Sequence, residues 1–143
     1  MPSIRIMVLA AVLALSLPAV AAAEPAVVAD PEQFCEEAVK RIQRSASDAA
    51  NLIAVTVGRR QSSGDLKNFL QILEGKDFDF TRKIIDKNYN DALRQVVFYS
   101  YIKNLGFAYF RFNFKRTSAG WILANFSFKD ETNELLPKDF VEP

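Results

Sequence analysis

The sequence predicts an α+β domain, with N-terminal helices packed on an antiparallel sheet of about four strands. Apolar residues between Phe34 and Ile53 recur at three- and four-residue steps, the period of a helix. From Phe78 onward, β-branched and aromatic residues alternate with polar ones, the period of a strand. Nine of the twelve phenylalanines lie between Phe78 and Phe128, so the sheet supplies most of the core.

The chain is read as a signal peptide, residues 1–23, followed by one domain, residues 24–143. Arg5 and the amino terminus give a short positive region, and Ile6–Leu17 is an uncharged apolar run. Pro18 breaks any helix there, and Ala21, Ala22 and Ala23 supply the small residues that a signal peptidase cuts after. A membrane anchor needs about 20 apolar residues, and this run holds 12 before Pro18. A lipoprotein is also disfavoured, because Cys35 follows Glu32-Gln33-Phe34 and not small aliphatic residues. The expected location is the periplasm or the extracellular medium, with no stable membrane span after cleavage.

The helical part begins at Asp30, whose carboxylate caps free backbone N–H groups, with Pro31 at the first helical position. Phe34, Ala38, Ile42, Ala46 or Ala49, and Ile53 form its apolar face, and Gly58 can end it, with a break expected near Ser45–Asp48. A polar turn, Arg59–Gly64, leads to a second helix over Asp65–Glu74, with Leu66, Phe69, Leu70 and Leu73 facing inward and Gly75 at its end. Four strands follow, within Phe80–Lys87 and over Ala92–Ile102, Phe107–Lys115 and Trp121–Lys129. The tail is expected to pack Leu135 and Phe140 as a loop around Pro137.

Parity sorts the sheet faces, because successive side chains alternate across a strand. Phe110, Phe112 and Phe114 share one face of the third strand, and Tyr109, Arg111, Asn113 and Lys115 share the other. On the fourth strand, strict alternation groups Ile122, Ala124, Phe126 and Phe128 against Trp121, Leu123, Asn125 and Ser127. The expected register pairs Phe114 with Ile122, Phe112 with Ala124 and Phe110 with Phe126, since a one-residue slip would turn the apolar face to water. The second strand has apolar residues on both parities and is expected to be buried on both sides.

Composition excludes several chemistries. There is no histidine, which removes Ser-His-Asp and Cys-His catalysis and the commonest zinc ligand. The domain after residue 23 carries 17 basic and 17 acidic residues, so no long-range field of one sign draws it to nucleic acid. The single Cys35 cannot form an internal disulfide and is read as a buried structural thiol, or as one paired with another chain. No cofactor and no metal are expected.

Leu93-Arg94 to Tyr99, Phe110 to Arg116, Gly120-Trp121 and Phe126 to Phe128 together resemble the C-terminal hairpins of the nuclear transport factor 2-like (cystatin-like) superfamily, in particular its small secreted bacterial members. The resemblance covers about a third of the domain closely and the rest by element order. It implies a curved sheet wrapped around a helix as a cone, often with an apolar pocket, and homodimers through the sheet. It implies no reaction, because the superfamily hosts many unrelated functions.

Two candidate sites are legible. One pairs a carboxylate among Asp77, Asp79, Asp86 and Asp91 with a phenol among Tyr89, Tyr99, Tyr101 and Tyr109, although no spacing singles out a pair and no catalytic residue is assigned. The other is the second sheet face, with Tyr109, Arg111, Asn113 and Asn125 around Trp121 and Leu123. Arg with Trp and Tyr is a mixture enriched at protein interfaces. The function expected first is therefore a non-enzymatic binding or protein-interaction module, its partner a second copy of the chain or an envelope protein. The alternatives are a carrier of an apolar small molecule or lipid and a cofactor-free, carboxylate-dependent isomerase or hydrolase.

Overall fold

The computed structural model describes residues 24–58, 66, 68 and 70–129. Residues 1–23, read above as an export signal, the Arg59–Gly64 turn, Phe69 and the tail from Asp130 lie outside the described residues. The architecture is α+β: among the described residues, two complete helices and a curled antiparallel sheet of five strands, against about four strands expected from the sequence.

Helix α1 spans Pro31–Arg44. Asp30 is its N-cap, and its Oδ1 accepts from the backbone N–H of Glu32 at 2.9 Å and of Gln33 at 3.2 Å. The expected break falls at Ser45, whose backbone is extended and whose hydroxyl caps the next helix by accepting from the N–H of Asp48. Helix α2 spans Ala46–Val57 and ends at Gly58, which takes the left-handed conformation at φ 72°. Ala38, Ile42, Ala46, Ala49 and Ile53 are all buried, as their spacing predicts. Leu66, Asn68 and Leu70 have helical backbone, and Leu70 and Leu73 are buried. Glu74 closes this segment against the helices, its Oε2 accepting from the N–H of Ala46 at 2.9 Å.

The strands are β1 (Val27–Val28), β2 (Phe78–Tyr89), β3 (Leu93–Ile102), β4 (Gly106–Thr117) and β5 (Gly120–Lys129). Their order across the sheet is β1-β5-β4-β3-β2. The short β1 was not expected; it pairs Val27 with Ile122 and Val28 with Trp121. Asn90 and Asp91 both have positive φ and make the tight turn between β2 and β3, whose right-handed twist favours that geometry.

The helices cover the face that carries Val96, Phe98, Phe110, Phe112 and Phe114, and all five are buried. Phe34 of α1 meets Phe112 and Phe114 edge-on at ring separations of 6.4 and 6.1 Å. Phe112 also packs on Phe126 at 5.0 Å, and Phe110 on Phe128 at 5.3 Å. Burying each such ring contributes about 1.5–3 kcal/mol, so this face holds most of the stability. Strand β3 was expected to be buried on both sides; its inner face is buried at Val96, Phe98, Ser100 and Ile102, but on its outer face only Val97 is buried, and Leu93 and Tyr101 are exposed.

The register of β4 with β5 corrects the expected one. Phe110 pairs with Phe128 and Phe112 with Phe126, two residues beyond the expected partners. Between Asn113 and Phe114 a bulge leaves Ala124 out of the ladder, and from there Phe114 pairs with Leu123 and Arg116 with Trp121. A bulge inserts one residue and thereby reverses which parity faces inward. Trp121 and Leu123 are therefore in the core, and Ile122 points to the other side.

Candidate functional site

The sheet face turned away from the helices carries the exposed aromatic side chains. Its ladder brings together Phe80 of β2, Tyr99 and Tyr101 of β3, and Phe107 and Tyr109 of β4, through the pairs Phe80–Tyr101, Tyr99–Tyr109 and Tyr101–Phe107. The rings form one connected cluster. Tyr99 lies 6.0 Å from Phe80, 5.8 Å from Phe107 and 5.4 Å from Tyr109, and Tyr101 lies 5.3 Å from Phe107. Such separations fall within the range of favourable aromatic pairs. Phe107 is 53% exposed, Phe80 43% and Tyr101 39%, and Tyr109 is only 8% exposed. Burial, with a smaller effect from neighbouring Tyr99, pushes the Tyr109 phenol above its ordinary pKa, so it stays a neutral donor.

Polar side chains continue the same face. Gln95 Nε2 donates to Asn113 Oδ1 at 3.1 Å, and Ser127 Oγ donates to Asn125 Oδ1 at 2.7 Å. Asn113 and Asn125 are ladder partners, as are Arg111 and Ser127. Arg111 is half-buried, and its Nε is shielded from water without a hydrogen-bond acceptor. The Arg82 guanidinium lies over the Phe80 ring at 5.5 Å.

The structure thus brings Tyr109, Arg111, Asn113 and Asn125 together on one face, as strand parity predicts. It moves Trp121 and Leu123 to the opposite, core face because of the bulge at Ala124. Phe80, Arg82, Tyr99, Tyr101 and Phe107 take their place. Phe107 was legible from its parity with Tyr109. Phe80 and Tyr99 required the β2–β3 register, which contains two bulges and could not be read from alternation.

The carboxylate–tyrosine combination is dispersed. Tyr89, Tyr99, Tyr101 and Tyr109 all lie on the outer face, whereas Asp86 pairs with Val96 and faces the helices. The Asp86 carboxylate receives both prongs of Arg94, Nε and Nη2, each at 2.8 Å. That hydrogen bonding holds its pKa below the usual carboxylate range. Lys83 bonds Glu32 of α1 and lies 3.7 Å from Asp86, which ties the helix to the β2–β3 hairpin. Asp77 is engaged by Lys103 Nζ at 2.8 Å, and Asp91 by Asn88 Nδ2 at 2.7 Å. Cys35 is fully buried, and desolvation drives its thiol pKa far up, so it behaves as a core side chain.

A groove of about 640 Å³ runs between the β1 segment and the helices, lined by Val28, Asp30, Phe34, Glu37, Leu52 and Thr56 among others. Among the described residues, no three side chains of metal-binding type come together, and no helix is long and apolar enough to cross a membrane. Comparisons with protein families, with curated proteins and with solved structures found no match to this chain.

Proposed function

We propose that this protein is an exported, non-enzymatic interaction module of the periplasm or extracellular medium, which presents the outer face of its sheet to a protein partner. The observation that supports this reading is the connected aromatic cluster of Phe80, Tyr99, Tyr101, Phe107 and Tyr109, with three of its rings substantially exposed. Rigid aromatic side chains beside arginine are the residues that dominate binding energy at protein interfaces. The cone-like, cystatin-like roll implied by the sequence resemblance agrees with this use, since a sheet curled around a helix leaves its outer face as a broad platform.

Capture from envelope extracts tests the reading. The wild-type chain is expected to retain a partner that Phe107→Ser and Tyr101→Ser variants lose, while Lys40→Ala, in the groove beside the helices, keeps it. Retention by both face variants would move the interaction elsewhere. Loss with Lys40→Ala alone would place it in the groove.

A further inference from the structure

The outer face carries charge of one sign. Arg82 and Lys87 of β2, Arg111 and Lys115 of β4, and Lys129 of β5 occupy its outward ladder positions, and no Asp or Glu occupies any of them on β2–β5. Asp79 stands at the bulge before Phe80, outside the ladder. Among the described residues, Arg82, Lys87, Arg111 and Lys115 make no ion pair. On the helix-covered face the arrangement is the reverse: Lys83 and Arg94 are both paired with Glu32 and Asp86. The formal neutrality of the domain therefore hides a local basic field.

These cations alternate with rings. Arg82 lies over Phe80, and Lys87 Nζ lies 4.9 Å from the Tyr89 ring centre. The half-buried Arg111 stands next to the Gln95–Asn113 amide pair on this face, and the Arg82 guanidinium is the exposed one. A planar guanidinium takes a carboxylate with two parallel hydrogen bonds. Exposed rings and side-chain amides take apolar side chains and peptide groups, which a lipid headgroup lacks. A second copy laid face to face would set positive against positive, which disfavours association.

We propose that this face docks a segment of a partner protein in which carboxylates are interspersed with apolar or aromatic side chains. The assignment rests on the interaction-module reading above and specifies its partner. The test uses a synthetic peptide alternating glutamate with leucine and phenylalanine, titrated into the isotope-labelled chain and followed by backbone amide shifts. Shifts are expected at Tyr99, Tyr101, Phe107 and Arg111. Affinity is expected to fall about tenfold when the peptide glutamates become glutamine, and again in high salt. Arg82→Glu and Lys115→Glu should each weaken binding by a similar factor, and Lys40→Glu should not. Both substituted residues are exposed, so the outcome does not depend on folding effects at half-buried Arg111.

Absence of binding, equal binding of the glutamine peptide, or shifts confined to α1 would overturn the proposal. Tighter binding of heparin or of phosphatidylglycerol vesicles with the same footprint would overturn it in favour of an anionic polymer or membrane. A partner captured from extracts that depends on Phe107, while the acidic peptide fails to bind, would leave the interaction reading standing and remove this one.

Discussion

Gly120 opens β5 at φ +135°, a conformation that side chains with a Cβ rarely adopt, and a Cβ there would lie 2.8 Å from Val27 Cγ1. Gly120→Ala is expected to cost about 1–3 kcal/mol, the scale of a strained backbone residue. The double variant with Val27→Ala should recover only the part due to the contact, because the backbone strain remains; urea unfolding midpoints measure both. Asp86 offers a pH test. Its folded pKa is depressed by Arg94, so its stabilisation is present above the ordinary carboxylate pKa and is lost as pH falls through the lower folded value. Asp86→Asn is expected to cost about 1–2 kcal/mol at pH 7, because it removes a charge-assisted hydrogen bond at a partly exposed site. The gap between the two proteins should close toward pH 2. A gap that persists at low pH would show that the carboxylate charge is not its source.

The two helices illustrate how a local signal sets an element boundary. Ser45 has an extended backbone and a hydroxyl that caps α2, so one long periodic stretch becomes two helices that fold back on the sheet. Strand β5 shows the opposite case. Alternation alone assigns Ile122 to the core and Leu123 to solvent, and the bulge at Ala124 exchanges them. Leu123→Ala is accordingly expected to cost about 2–5 kcal/mol, and Ile122→Thr less than about 1 kcal/mol. Thermal or chemical denaturation of the two variants decides between the bulged and the regular ladder, since a regular ladder reverses their order. The edge strand β2 carries bulges at Asp79 and Ile84. Irregularity and charge at a strand edge oppose uncontrolled strand pairing.

At the scale of the whole molecule, α1, α2 and four strands share one contiguous buried cluster that runs from Val28 to Leu123. Unfolding is expected to be a single transition, with near-ultraviolet circular dichroism from Trp121 and the packed phenylalanine rings coinciding with far-ultraviolet loss of helix. An earlier near-ultraviolet transition would show that the sheet and helices separate. Much of this organisation was legible in the sequence. The periodicity from Phe34 to Ile53 and the parity of Phe110, Phe112 and Phe114 are local consequences of backbone geometry and hydrophobic spacing, and both appear where expected; the double burial expected of β3 holds only at Val97 on its outer face. The grouping of Tyr109, Arg111, Asn113 and Asn125 follows from the same parity. The sequence by itself determined which residues are apolar, at what period, and which chemistries lack their side chains. Only the tertiary structure decided the ladder register, the bulge that draws Trp121 and Leu123 inward, and the meeting of Phe80 and Arg82 with Tyr99 and Phe107. Those depend on pairing between strands distant along the chain, where one unpaired residue changes every face that follows.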